Sequence, residues 1–200
     1  MIISEHPQLS EEWFAERAGL PTASNFSKIV TSKGLPSKSA KKYMYQLAIE
    51  RVTGKKEDTY TSQAMERGSL LEEEARSGYS LVTGLSVETV GLCWKDDKKS
   101  VGASPDGLVD GSKGCLEIKC PSAAVHCEYL INNKVPTEYF VQVQGQMYVT
   151  GCAWSDFVSY YPGTRLLVLR MDRDEAFMSK LDFELKVFCA ELDRLVEKIK

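Results

Sequence analysis

Ser104-Pro105-Asp106-Gly107 and Leu116-Glu117-Ile118-Lys119 are the two stretches of sequence that decide the fold of this chain. Between them lies a turn rich in glycine and aspartate, Asp110-Gly111-Ser112-Lys113-Gly114. Turn chemistry between two apolar stretches predicts a β-hairpin. Because side chains alternate along a strand, we expect Glu117 and Lys119 on one face and Ile118 on the other, in a core.

The hairpin is expected to bring the carboxylates of Asp106 and Glu117 close together. Two such anions repel unless a cation lies between them, and hard oxygen ligands favour Mg²⁺ or Mn²⁺ over zinc. The backbone carbonyl of Ile118 is a further candidate ligand. Lys119 beside the metal would orient or deprotonate a water molecule and stabilise charge on a phosphate. The alternative is a surface hairpin with solvated charges, because this pattern alone is common.

Five blocks of sequence place the hairpin in a wider context. They are Trp13-Phe14-Ala15-Glu16-Arg17 with Thr22-Ala23-Ser24, Arg67-Gly68 with Glu72 and Ala75, Ser104 to Leu108, Leu116 to Pro121, and Val141 to Tyr148. In these blocks, and over nearly its whole length, the chain resembles the phage lambda-type alkaline exonucleases. They form the viral recombinase branch of the PD-(D/E)xK nuclease superfamily. The resemblance implies a restriction-endonuclease-like core.

The sequence predicts a single α/β domain over residues 1–200, with a mixed central β-sheet flanked by helices. Capping residues and apolar periodicity place the helices, and short apolar runs place the strands. The predicted helices are 11–17, 23–30, a third from Ser37 or Ser39 to Gly54, 62–82, 122–133, 136–150 and 173–198. The predicted strands are 86–94, 100–103, the hairpin continuing their sheet, 154–161 and 166–171.

The last predicted helix carries apolar residues at alternating spacings of four and three, close to a coiled-coil repeat. These residues are Phe177, Leu181, Leu185, Phe188, Leu192, Leu195 and Ile199. Packing against the chain's own core is the expected use of this face, and a subunit contact is the alternative.

Charge is unevenly distributed along the chain, although the net charge is only −3. Residues 28–56 contain eight lysines and arginines against Glu50 alone, whereas residues 57–88 contain seven acids against two arginines. A basic stretch neutralises phosphate, and an acidic one collects divalent cations. This division suits a nuclease; a solvated helix face is the simpler explanation of the basic stretch.

Composition also bears on the location of the protein. The chain has no apolar run long enough for a membrane span and no basic-apolar leader. Its six cysteines form no Cys-x-x-Cys pair and no zinc-like grouping with the two histidines. We therefore expect reduced thiols, no membrane association and a cytoplasmic location. The resemblance implies a bacterial host or prophage context.

The resemblance adds two residues to the expected active site. A family glutamate on the long helix before the sheet corresponds to Glu72, which leaves Glu73 and Glu74 as solvated surface acids. Gln142 matches a family glutamine that hydrogen-bonds near Lys119; an exposed glutamine is the alternative. The other polar residues of that helix, expected on its other faces, are Gln144 and Gln146.

The resemblance also implies a binding site for the 5′-phosphate of the strand being degraded. An arginine and two serines of the family correspond to Arg17, Ser24 and Ser104. A guanidinium suits a phosphate, and hydroxyls near a helix start add donors. Taken separately, Arg17 would serve equally as a surface ion pair, Ser24 as a helix N-cap and Ser104 as a turn residue.

These observations predict a Mg²⁺-dependent 5′→3′ exonuclease, with Mn²⁺ as a substitute metal, that degrades one strand of duplex DNA from its end. Its products would be 5′-mononucleotides and 3′ single-stranded tails for recombination by strand annealing. The resemblance further implies a ring-shaped homotrimer and a phage single-strand annealing protein as partner. The alternatives are an endonuclease of the same fold and a non-catalytic DNA-binding module.

Overall fold

Helices and strands alternate along the chain in the computed structural model, which describes residues 1–56 and 63–200. Ser62, the predicted start of the fourth helix, lies outside the described residues. The helices are α1 (Glu11–Arg17), a 3₁₀ helix (Ala23–Lys28), α2 (Ala40–Thr53), α3 (Gln63–Thr83), α4 (Ala123–Asn132), α5 (Thr137–Thr150) and α6 (Glu175–Ile199). The strands are β1 (Ile2–Ile3), β2 (Val87–Glu88), β3 (Cys93–Trp94), β4 (Gly102–Ala103), β5 (Gly107–Val109), β6 (Gly114–Lys119), β7 (Trp154–Ser159) and β8 (Leu167–Asp172). Among the described helices, none combines the length and the apolar character that a membrane crossing requires.

The central sheet is built around the predicted hairpin, which the structure confirms as β5 and β6. Five strands follow one another in the order β2-β5-β6-β7-β8. β6 and β7 run parallel, whereas the other neighbours are antiparallel. A parallel pair needs a long crossover connection, and α4 and α5 provide it. The predicted mixed sheet flanked by helices is therefore confirmed.

The two faces of β6 pack against different layers of helices. Leu116 and Ile118 lie in an apolar cluster with Ala75 and Tyr79 of α3. Cys115 belongs instead to the larger cluster that contains the core residues of α5 and α6. Alternation therefore turns the odd-numbered residues of β6 towards α5.

The predicted strand 86–94 is wrong, because the structure divides it between two sheets. β2 joins the hairpin, whereas β3 pairs with β1 and β4 in a separate three-stranded sheet. The hairpin thus continues β2 but does not continue the strand predicted at 100–103. Between β2 and β3, Gly91 lies so close to the N-terminal segment that an added Cβ would be 2.0 Å from the carbonyl oxygen of His6. Pairing with β1, which local patterns did not predict, accounts for the division.

Two helices differ from their predicted form. The helix predicted at 23–30 is a 3₁₀ helix that ends at Lys28. The apolar face of α6 is buried as predicted as far as Leu192. Beyond it, Val196 is buried although it was not part of the predicted face, and Ile199 is exposed although it was. A strict four-three spacing drifts around a helix of 3.6 residues per turn, which explains the change. α6 packs along α2 within the chain's own core, as expected.

Candidate active site

Glu117 and Lys119 form the centre of the candidate site, side by side on the face of β6 that α5 covers. The side chain of Glu117 is only 2% exposed and is ion-paired with Nζ of Lys119. Burial alone would lower the pKa of Lys119, but the charges of Glu117 and Asp106 outweigh it and raise that pKa above its usual value. Lys119 is therefore a half-buried cation held against a buried carboxylate.

Asp106 reaches the same place from the start of the hairpin. Its backbone N–H donates to the carbonyl oxygen of Leu116 (2.9 Å), and its Oδ2 accepts a hydrogen bond from the N–H of Ile118 (2.6 Å). Burial raises the pKa of Asp106 well above its usual range, and the charge of Glu117 raises it further. The two carboxylates therefore lie close enough to repel each other. We call Asp106, Glu117 and Lys119 the carboxylate site.

Glu72 approaches this site from α3, where Arg76 holds it. Nη2 of Arg76 donates to Oε1 of Glu72 (2.6 Å), and Nε of Arg76 donates to the carbonyl oxygen of Asp106 (3.0 Å). Arg76 therefore ties the helix to the start of the hairpin, a role that its position in the sequence did not indicate. The neighbouring acids, exposed as expected, are Glu73 and Glu74.

Two glutamines of α5 hydrogen-bond to the two carboxylate oxygens of Glu117. Nε2 of Gln142 donates to Oε1 (2.6 Å), as the resemblance led us to expect, and Nε2 of Gln146 donates to Oε2. The expectation that Gln146 lies on another face of the helix is wrong. Residues four apart share a helix face, so the spacing of the two glutamines was a signal that could have identified it. Gln144 instead bonds to the backbone of Asp172 and Asp174 at the start of α6.

The oxygen donors of this site fit a hard divalent cation such as Mg²⁺. Asp106 and Glu117 are two neighbouring carboxylates, and Glu117 is also one cause of the raised pKa of Glu72, after burial and against the opposing effect of Arg76. Within residues 1–56 and 63–200, however, no three acids, histidines or cysteines are gathered in one group that could hold a metal ion. Glu72 is bound to Arg76 instead, so its role as a third ligand, like that of the Ile118 carbonyl, stays a prediction.

Arg17 and Ser104, two of the predicted phosphate ligands, lie in direct contact. Nη1 of Arg17 donates to Oγ of Ser104 (3.0 Å), and Nε1 of Trp13 donates to the same oxygen (3.1 Å). The guanidinium lies 4.2 Å from the centre of the Trp13 ring. Burial lowers the pKa of Arg17 to about 10, which leaves it cationic near neutral pH. We call this region, centred on Arg17 and Ser104, the end pocket.

Ser24 stands apart from this contact. It is exposed in the 3₁₀ helix, and its hydroxyl shares a hydrogen bond with Oγ1 of Thr22 (3.2 Å). Thr22, not Ser24, is the N-cap residue of that helix. The structure therefore brings Arg17 and Ser104 together but bonds Ser24 to a neighbour along the chain.

Gln8 is a residue near the site that no sequence pattern indicated. Its Nε2 donates to the carbonyl oxygens of Val90 and Pro105, both at 2.9 Å. Because Pro105 directly precedes Asp106, the Gln8 side chain holds the segment that carries Asp106.

Comparison with known proteins agrees with the family resemblance found in the sequence. A sequence model of the YqaJ-like viral recombinase domain matches residues 12–153. The chain belongs to this family. The predicted resemblance is thereby confirmed, and membership of the YqaJ-like family supports a role as a DNA exonuclease. Among curated proteins, no significant match is found.

Solved structures related to this YqaJ-like domain agree with the assignment. The alkaline exonuclease from Laribacter hongkongensis is 39% identical, with 95% of this chain and 96% of that chain covered and a TM-score of 0.86. Its complex with dAMP gives 39% identity, 96% coverage of both chains and the same TM-score of 0.86. A phage-related exonuclease from Haemophilus somnus 129PT, 16% identical over 90% of this chain and 96% of its own, shares the fold with a TM-score of 0.69.

Proposed function

We propose that this protein is a Mg²⁺-dependent 5′→3′ exonuclease that degrades one strand of duplex DNA from its end. The observation that carries the proposal is the hairpin, which holds Asp106 beside the ion pair of Glu117 and Lys119. Hydrolysis of a phosphodiester needs negative charge to be neutralised and a water molecule to be aimed at phosphorus. The carboxylate site offers both a cation-binding pair of acids and a fixed cationic side chain.

The residues proposed to hold the metal are Asp106, Glu117, the carbonyl oxygen of Ile118 and Glu72. Bound Mg²⁺, or Mn²⁺ in its place, supplies charge stabilisation for the attacking and leaving oxygens. Lys119 orients the water or the phosphate as a cation, a role that needs no loss of its proton. Gln142 holds the carboxylate of Glu117 in position through the hydrogen bond to Oε1.

Recognition of the DNA end is proposed for Arg17 and Ser104, with Ser24 as a further donor. The contact between Arg17 and Ser104 supports this proposal, because it places a guanidinium and a hydroxyl where one anion can meet both. The relative from Laribacter hongkongensis has been solved with dAMP. That complex supports 5′-mononucleotides as the products of this chain.

We further propose a ring-shaped homotrimer, a phage single-strand annealing protein as partner and a cytoplasmic location in a bacterial host. The support is the family membership. With 22.4 kDa per chain, light scattering at micromolar concentration separates trimer from monomer. A clean monomer mass would contradict the ring and leave the proposed chemistry unaffected.

The activity is tested with linear and closed-circular duplex in Mg²⁺. We expect the linear duplex to be digested and the circle to persist. Label at the 5′ ends should be released early as mononucleotide, whereas label at the 3′ ends should remain in single-stranded tails. Cutting of the circle would instead support an endonuclease of the same fold, and DNA binding without hydrolysis would support a non-catalytic module.

A further inference from the structure

The end pocket continues into a small cavity between α1, the 3₁₀ helix and α2. The cavity measures about 20 Å³, and its lining includes Arg17, Thr22, Asn25, Tyr43 and Lys56. A volume of this size holds about one water molecule. It therefore admits an oxygen atom of a phosphate group but not a nucleotide.

Positive charge surrounds this cavity. Nζ of Lys56 lies 5.5 Å from the centre of the Phe14 ring, and Nζ of Lys28 lies 5.0 Å from the centre of the Tyr43 ring. Burial, followed by repulsion from Arg17, lowers the pKa of Lys56. The positive charges of Lys56 and Arg17 are thus close enough to repel each other.

Among the described residues that line the cavity, one acid opposes these cations. Glu50 also lines the cavity and is itself 3% exposed. Its carboxylate accepts hydrogen bonds from the N–H of Gly19 (2.8 Å) and from Nε2 of Gln46 (2.9 Å). The charges of Arg17, Lys28 and Lys56 therefore exceed that of the single acid, an imbalance that an anion at the cavity mouth would relieve.

The hydrogen bonds of the lining also leave a donor available to such an anion. In the part of the chain that the structure describes, Nε of Arg17 is buried without a hydrogen-bond partner. A buried donor of this kind normally has a partner. Arg17, which carries this unpartnered Nε, lines the same cavity as Lys56, so the pair indicates where an anion oxygen would bind.

We propose that Lys56 is a second cationic anchor for the terminal 5′-phosphate and selects a phosphate monoester over an internal diester. A monoester carries a charge of about −1.5 to −2 at pH 7, whereas a diester carries one negative charge. With Glu50 offsetting one of the three cations, the remaining two positive charges balance a monoester; without Lys56 only one remains, which balances a diester. The inference rests on the proposed recognition of the DNA end and adds a specificity-determining residue to it.

A purely structural role for Lys56, stacking on Phe14, makes a different prediction. Loss of that contact would change stability but not the discrimination between two DNA ends. The measurement is therefore the ratio of initial digestion rates for duplexes with a 5′-phosphate and a 5′-hydroxyl. The ratio of binding affinities in metal-free buffer provides a second readout that does not depend on hydrolysis.

We expect Lys56→Gln to reduce both ratios about three- to tenfold and Lys56→Arg to retain most of them. Lys55→Gln is the matched control, because Lys55 is its exposed neighbour and should leave both ratios unchanged.

Three outcomes would overturn the inference. A Lys56→Gln enzyme that keeps the wild-type ratios would exclude Lys56 while leaving the proposed end pocket intact. If Lys56→Gln slowed the digestion of both duplexes equally, Lys56 would attract DNA in general and would not select the 5′-phosphate. A wild type that does not distinguish the two ends would overturn the end pocket of the proposed function as well.

Discussion

The residues of the carboxylate site come from one hairpin, whereas those of the end pocket come from segments far apart in the chain. Asp106 and Glu117 meet because β5 and β6 are joined by a short turn. Arg17 and Ser104 meet across 87 positions of sequence. The first site follows from local geometry, and the second depends on how the helices pack.

The two regions also differ in charge. Among the described residues, the carboxylate site gathers acids around one lysine, whereas the end pocket gathers cations around one acid. Such a division suits the proposal that the first region hydrolyses DNA and that the second recognises the DNA end. Because Ser104 and Asp106 are two residues apart, one short segment of chain connects the two regions.

Removing a carboxylate should have the largest effect. Asp106→Ala or Glu117→Ala should lower the turnover rate by about a thousandfold or more, because the charge that holds the metal is lost. In metal-free buffer, the midpoint of thermal unfolding of Asp106→Ala should stay equal or rise, since one of two repelling anions is gone. That of Glu117→Ala should fall, because Lys119, Gln142 and Gln146 lose their shared partner. Asp110→Ala, in the exposed turn of the same hairpin, is the control and should digest DNA normally. Wild-type rates in either variant would remove these residues from the site.

Arg17→Ala should affect the choice of end and spare hydrolysis. A charge-assisted contact to phosphate is worth about 1.5–3 kcal/mol, so the preference for 5′-phosphorylated duplex should fall roughly ten- to hundredfold. The rate on 5′-hydroxyl duplex should change little, because Arg17 is not a proposed metal ligand. Initial rates on the two duplexes measure this directly, and an unchanged preference would exclude Arg17 from the pocket.

Gln146→Leu should weaken the metal site without removing a ligand. Support of a ligating carboxylate by a neighbouring hydrogen bond typically contributes about tenfold or more to metal affinity. We therefore expect the Mg²⁺ concentration for half-maximal digestion to rise about tenfold. Gln144→Leu is the matched variant, because Gln144 bonds to the start of α6. Gln144→Leu should lower the midpoint of thermal unfolding and leave the Mg²⁺ requirement unchanged. A raised Mg²⁺ requirement in Gln144→Leu but not in Gln146→Leu would refute the different roles given to the two glutamines.

Ser24→Ala should have the smallest effect. A neutral hydroxyl contact is worth about 0.5–1.5 kcal/mol, so its loss should reduce the preference for a 5′-phosphate about two- to tenfold. The exposed Ser27→Ala variant serves as control. No change in Ser24→Ala would mean that the hydroxyl only bonds to Thr22, as the structure places it.

Sequence patterns predicted that Asp106, Glu117 and Lys119 lie together, because that arrangement is local. Alternation along β6 is enough to place Glu117 and Lys119 on one face, and turn chemistry is enough to return the chain to Asp106. The long helices were also predictable from their caps and periodicity. Gln146 was missed although its spacing from Gln142 indicated a shared face.

Features that depend on distant contacts were not predictable in this way. The strand predicted at 86–94 is divided because its last part pairs with β1, which lies near the start of the chain, whereas its first part pairs with β5. The hydrogen bonds of Gln8 and Arg76 to the backbone around Asp106 need the packed structure to exist first. The roles proposed for Arg17 and Ser24 in binding phosphate likewise came from family resemblance, since neither residue has a distinguishing local pattern.

The most direct test of this division of tasks compares three enzymes on two substrates. Wild type, Asp106→Ala and Arg17→Ala are each given duplex with a 5′-phosphate and with a 5′-hydroxyl, and the initial rate of mononucleotide release is measured in Mg²⁺. We predict that Asp106→Ala is inactive on both duplexes, and that Arg17→Ala digests both at the slow rate of wild type on the 5′-hydroxyl end. Hydrolysis by Asp106→Ala, or equal loss of activity by both variants on both duplexes, would contradict the account.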